Sequence, residues 1–263
     1  AEQTQLVMNF LTEKGYASVQ AATGMPVKIM AARTGLGAYG KNGIIQTPTM
    51  GSWIGLTMII TDAPLECDSP AGDPCGSCNL CQRACPTGAL DEPYKCAIEQ
   101  CLTLQLVNNK GSVPRDLRDK AGTCIAQCNI CLDACPINKK LLKQTEFTNP
   151  ESLVYPEIAP LVNITEECFQ EMYGGTFLEF MFMDKKYLQR NAAIALGNYG
   201  DPAYVPVLIK ALETQEEEIV REHAAWALGK IKTKEAKAAL EKCLIHDTAA
   251  SVQSEIKYAL ERF

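Results

Sequence analysis

The chain has 263 residues, 25 basic and 31 acidic side chains, a net charge of −6, 47% hydrophobic residues and 13 cysteines. That composition fits a globular protein of more than one domain and excludes a disordered chain. No apolar run reaches eighteen residues, and no segment is strongly basic, so a membrane-spanning helix and a broadly cationic nucleic-acid binder are excluded as well.

Residues 2–14 read as a helix with Leu6, Val7, Phe10 and Leu11 on one face and Gly15 at its end. Residues 16–21 read as a strand, and residues 26–33 as a second helix with Pro26 in its first turn. A glycine-rich stretch, TGLGAYGKNG, follows at 34–43. Residues 53–61 are apolar and branched, the pattern of a buried strand ending at Asp62. Residues 1–66 are therefore expected to form a partial α/β region. Residues 67–140 hold the cysteine clusters with little regular pattern. Residues 141–187 carry three basic and eight acidic side chains, with Pro150, Pro156 and Pro160, and read as a helical connector.

The tail repeats. AAIALG at Ala192 returns as AAWALG at Ala224, the Ala-Leu pair returns at Ala259, and Leu188, Val220 and Val252 recur every 32 residues. Paired helices at that period predict an α-solenoid of HEAT-like repeats over 188–263. The expected fold class is α+β: a partial α/β region, a double-cluster domain and a solenoid.

Cys75, Cys78, Cys81, Cys85 and Pro86 form the C-x2-C-x2-C-x3-C-P run of bacterial ferredoxins, and CNICLDACPIN repeats the theme from Cys128. Thiolates two residues apart let a short loop wrap the corners of an iron–sulfur cube, while the fourth cysteine serves the neighbouring cube. That exchange assigns Cys75, Cys78, Cys81 and Cys135 to one [4Fe–4S] cluster, and Cys128, Cys131 and Cys85 to the other. The second set needs one more ligand, for which Cys96, Cys101 and Cys124 all qualify by spacing. Zinc prefers two C-x2-C pairs set further apart. The first thirty residues lack the order of a secretory signal, so clustered thiols in a cytoplasmic protein are expected rather than disulfides. Cys67, Cys168 and Cys243 read as plain thiols.

The order of motifs resembles the epoxyqueuosine reductase family. GLGAYGKNG, then GSW at 51–53, TDAPL at 61–65 and CGSCNLCQRACPTGAL carry the resemblance, joined by QRNAAIALGNYGD and REHAAWALG in the repeats. It covers roughly residues 25–230. It implies a cobalamin beside two [4Fe–4S] clusters, reducing the epoxide of a modified base in tRNA during queuosine synthesis, with repeats that help to hold the tRNA. It also implies that Cys101 is the open ligand, leaving Cys96 and Cys124 as spectators. Gly37 would let backbone approach the corrinoid, and Lys41, Asn42 and Ser52 would bond its amides.

Two departures from the family stand out. The stretch at 18–30, where the family places its acidic proton donor, contains no carboxylate, so Asp62 is the best remaining acid. The family's N-terminal domain has no counterpart ahead of Ala1, which points to a truncated or divergent member. The alternative function is an electron carrier that delivers low-potential electrons to a corrinoid protein docked on the repeats. His223 beside Trp226 reads as a packing residue and His246 as exposed. Lys230, Lys232, Lys234 and Lys237 fit either a phosphate contact or a solvated helix end.

Overall fold

The computed structural model describes residues 2–22, 24–142 and 157–263. Residues 143–156 of the expected connector, with Pro150 and Pro156, lie outside the described residues, as does Thr23.

In chain order the first elements are α1 (Glu2–Glu13), β1 (Ser18–Gln20), α2 (Val27–Arg33), β2 (Ala38–Tyr39), β3 (Ile45–Gln46) and β4 (Ile59–Thr61). Short helices follow through the cysteine region: α3 (Leu80–Ala84), α4 (Arg115–Arg118), α5 (Ile130–Asp133) and α6 (Pro136–Leu142). The connector contributes α7 (Ile158–Leu161), α8 (Glu166–Tyr173) and α9 (Phe177–Phe182). The repeats form α10 (Lys185–Tyr199), α11 (Val205–Thr214), α12 (Glu218–Ile231), α13 (Lys234–His246) and α14 (Ala250–Leu260).

Compactness divides the chain into two units. The first comprises Ala1–Ala97 and Asn129–Thr148, the second Ile98–Cys128 and Asn149–Phe263.

In the first unit β1 pairs antiparallel with β4, and β2 with β3. The expected buried strand at 53–61 is corrected here. Pairing is confined to Ile59–Thr61, and Ile60 is half exposed. An apolar run makes a buried strand only where a second layer covers it, and a two-stranded sheet offers neither neighbours nor a cover. The apolar side of α1 is exposed too, at Leu6, Val7 and Phe10. Buried apolar side chains in this unit are few among the described residues: Ala31, Ile45, Ala89, Leu90 and Cys135. A unit with so small an apolar interior needs another source of order, and a metal centre is one.

The second unit carries a continuous core. Leu188, Val220 and Val252, the 32-residue triplet, are all fully buried. The repeated ALG has a packing cause. A side chain at Gly197 would stand 2.8 Å from the Ala227 Cα, and one at Gly229 would stand 2.5 Å from the Ala259 Cβ. Glycine lets α10 approach α12, and α12 approach α14, backbone to backbone.

The same period sets a polar ladder. Asn191, His223 and Glu255 are 32 residues apart, and all are buried. Asn191 Nδ2 donates to the carbonyls of Leu106 and Ile125. His223 Nε2 accepts from the Val113 N–H, while Nδ1–H donates to the Ile219 carbonyl. Glu255 accepts from Arg115 and pairs with Arg118. Beside the ladder, the buried Arg190 donates to the carbonyls of Asn109, Gly111, Gln105 and Leu106. Three consecutive repeats thus grip the segment at 105–125 through its backbone and its arginines. Buried backbone groups must find partners, and here the solenoid supplies them.

No described helix is long and apolar enough to cross a membrane.

Candidate metal centre

Cys75 follows an Asp73 turn in which the carboxylate accepts from the N–H groups of Cys75 and Gly76. Cys81 sits on α3, and Cys85 ends it. Cys131 lies on α5, and Cys135 precedes α6, whose first residue is Pro136. A proline suits the first turn of a helix because its missing N–H is not needed there. Cys-Pro therefore starts α6 directly after Cys135.

Burial is the main cause of a raised pKa at Cys75 and at Cys81; the neighbouring Cys135 adds to both, and Cys75 adds to Cys81. These residues come from both motifs, as the ligand exchange of two-cluster ferredoxins requires. Burial pushes Cys85 upward, but hydrogen bonds from the Thr87 hydroxyl and from the Thr87, Ala89 and Gly88 N–H groups outweigh it. The result is a thiol held below its usual value. Among the described residues no three His, Cys, Asp or Glu side chains are arranged to hold one metal ion. A four-iron cube binds each thiolate at a different iron, so its ligands need not share a point.

The glycine-rich stretch carries β2 and turns into β3, forming a hairpin. It lies against both cysteine motifs. The Lys41 N–H donates to Cys75 Sγ at 3.4 Å, and Lys41 Nζ donates to the Gly76 carbonyl at 2.6 Å. Gln46 Nε2 donates to Cys135 Sγ at 3.2 Å. The Ser52 N–H donates to Asn138 Oδ1 at 2.9 Å, and Asn138 Nδ2 donates to the Leu132 carbonyl. Gly51, at φ +57°, leaves no room for a side chain, since a Cβ would stand 2.3 Å from Asn138 Oδ1. Gly37 is likewise demanded by the hairpin itself, because its Cβ would stand 2.4 Å from the Gln46 carbonyl oxygen.

Four buried polar atoms in this stretch have no hydrogen-bond partner: Asn42 Nδ2, Gln46 Oε1, Ser52 Oγ and Trp53 Nε1. Buried polar groups are rarely left bare. Their concentration in residues 42–53 fits a polar group bound there. Of the four, Gln46 lines a cleft of about 540 Å³, together with Gly37, Thr47, Pro74, Ile137 and Lys140. A corrinoid, with amide arms around a flat ring, fits this donor and acceptor set.

Asp62 is exposed, and its Oδ1 accepts from the Ala17 N–H at 2.7 Å, closing the β1–β4 pair. His223 is fully buried and hydrogen-bonded at both nitrogens, as a packing residue is; His246 is exposed. Lys230 pairs with Asp119 and lies over Trp226, and Lys237 lies over Phe263. Cys67 and Cys168 are exposed and Cys243 is buried. Cys101 and Cys128 belong to the second unit, where the Thr103 hydroxyl accepts from the Cys128 N–H. Gln46 and Asn138 are not singled out by the sequence. No local pattern marks Gln46; Asn138 had a faint signal in following Cys-Pro.

A family profile described as a 4Fe-4S double cluster binding domain matches residues 74–138, and one described as HEAT repeats matches 178–261. The chain is 36% identical over 229 residues to the epoxyqueuosine reductase of Listeria monocytogenes, covering 86% of this chain and 60% of that one. A solved structure of epoxyqueuosine reductase from Bacillus subtilis superposes with a TM-score of 0.91 at 32% identity, over 100% of this chain and 70% of that one. A second, solved with an epoxyqueuosine-modified tRNA stem loop, gives 0.90 at 32% identity, over 99% and 70%. The chain spans about three fifths of the length of the curated relatives it matches.

Proposed function

The chain belongs to the epoxyqueuosine reductase family, and from that premise we propose that it acts as a cobalamin-dependent iron–sulfur reductase of a modified base in tRNA. The double 4Fe-4S domain is present. The relative solved with an epoxyqueuosine-modified stem loop supports the substrate class.

The observation that carries the proposal is the hairpin laid across both cysteine motifs, with its row of unpartnered polar atoms. One cluster is held by Cys75, Cys78, Cys81 and Cys135, the other by Cys85, Cys101, Cys128 and Cys131. Cys124 fits the spectator role, since its thiol donates to the Gln127 carbonyl at 3.0 Å, which a metal-bound thiolate cannot do. Asn42, Ser52 and Trp53 would bond the corrinoid's amides, and Gly37 keeps the hairpin tight beneath it. When bound, the clusters supply single electrons from a low-potential donor, and the cobalamin supplies a strongly nucleophilic reduced cobalt. The residues of this chain hold the sulfur ligands, direct N–H groups at them and shape the cleft.

The test is a visible and EPR spectrum of anaerobically reconstituted protein, before and after adding cobalamin. Retained corrinoid with a cob(II)alamin signal is expected; clusters without corrinoid uptake would overturn the reductase reading. Binding of tRNA should weaken as salt rises, because phosphate contacts release counterions. Salt-independent or absent binding would remove tRNA as the substrate.

A further inference from the structure

We infer that Gln46 is a positioning residue of the first cluster, its side-chain amide donating to the Cys135 sulfur and raising the potential at which that cluster takes up an electron. The inference rests on the ligand reading above and deepens it.

Gln46 is 4% exposed and sits on β3 beside Ile45, which is 1% exposed. Its backbone is locked, for β3 pairs with β2 and the Gln46 carbonyl rests against Gly37. From there Nε2 reaches Cys135 Sγ at 3.2 Å, across 89 residues of sequence. A thiolate accepts hydrogen bonds and cannot donate them. Once Cys135 carries iron, only the NH2 end of the amide can face it. The other end, Oε1, is then the buried atom without a partner, on a residue that lines the cleft.

The electrostatic consequence has a definite sign. One-electron reduction adds negative charge to the cluster and its sulfurs. A donor fixed at a sulfur stabilises the reduced form more than the oxidised form, and the potential rises. The Lys41 N–H on Cys75 acts in the same sense, so the cluster receives a donor at one cysteine of each motif. Lys41 donates from the backbone and survives any side-chain change. Gln46 does not, which makes it the adjustable member of the pair.

The experiment is an EPR-monitored redox titration of the anaerobically reconstituted chain and of Gln46→Met, which keeps the side chain's length and removes the donor. The variant should hold about eight irons per chain. Its first cluster should show about a tenfold lower reduced-to-oxidised ratio at fixed potential, a shift of 59 mV downward for a one-electron couple. Gln46→His, which retains an N–H donor, should recover part of the shift. Unchanged potential with full iron, or a rise, overturns the inference and leaves the ligand reading standing. Should Gln46→Met lose iron, Gln46→Asn is read the same way, since its amide stops one methylene short of Cys135. A wild-type chain that takes up no iron would sink the ligand reading instead.

Discussion

The Asn191 side-chain amide donates to the carbonyl oxygen of Ile125 at 2.8 Å, three residues ahead of Cys128. A second bond at 2.8 Å joins it to Leu106, five residues after Cys101. One buried amide in the first repeat thus ties together two segments that each carry a candidate ligand. Asn191→Leu would leave the Ile125 carbonyl without that donor, whereas Leu106 keeps Arg190. The expected loss is about 1–3 kcal/mol of stability, read as a lower urea midpoint of the reconstituted chain. An unchanged midpoint would show that the bond carries no net weight.

Arg118 is held between two carboxylates, 2.6 Å from Glu222 and 3.2 Å from Glu255, and all three are nearly or fully buried. Removing one partner of a buried ion pair strands the other. Arg118→Met should cost about 3–5 kcal/mol. Adding Glu222→Gln to it should return part of that loss, while Glu255 retains Arg115. A double variant no more stable than the single one would mean the stranded charge is not the cause.

Stability should depend on pH through His223. Burial, then the nearby Arg118 charge, hold its pKa well below 6.5. The unfolded chain takes up a proton near pH 6.5 and the folded chain does not, so acid favours unfolding. The stabilising contribution is complete above pH 6.5 and falls as pH drops toward the native pKa, by at most about 1.4 kcal/mol per pH unit. Urea midpoints of the chain and of His223→Gln at pH 7.5, 6.5 and 5.5 give the check. Their difference should change below pH 6.5 in favour of the variant, and a constant difference would count against it.

The proposed exchange of ligands between motifs has its own test. Cys135→Ser should reduce iron from about eight to about four per chain and remove the signal of the cluster assigned to Cys75, Cys78 and Cys81, the one that Cys75→Ser also removes. If motifs kept their own fourth cysteine, the signal lost would instead be that of the other cluster.

Close approach of α12 and α14 depends on Gly229, where a Cβ would stand 2.5 Å from that of Ala259. Gly229→Val should therefore destabilise the repeats by about 1–3 kcal/mol through overpacking. A thermal midpoint equal to wild type would show that the helices simply move apart.

Much of this was open to reading from residues alone. Cysteine spacing announced the clusters because ligand geometry is set over a few residues of chain, and Cys75 to Cys85 is a local matter. The 32-residue period announced the solenoid because each unit repeats the same burial, as Leu188, Val220 and Val252 do. The run at 53–61 misled, because branched apolar residues state a preference for burial and not whether a second layer exists. Folding alone decided what meets across long separations. Gln46 came to Cys135, and Asn191, His223 and Glu255 came to the segment at 105–125, because backbone and thiol groups buried there needed partners. Local chemistry can be written in a short motif. A partner many residues distant is chosen only when the chain closes and water leaves.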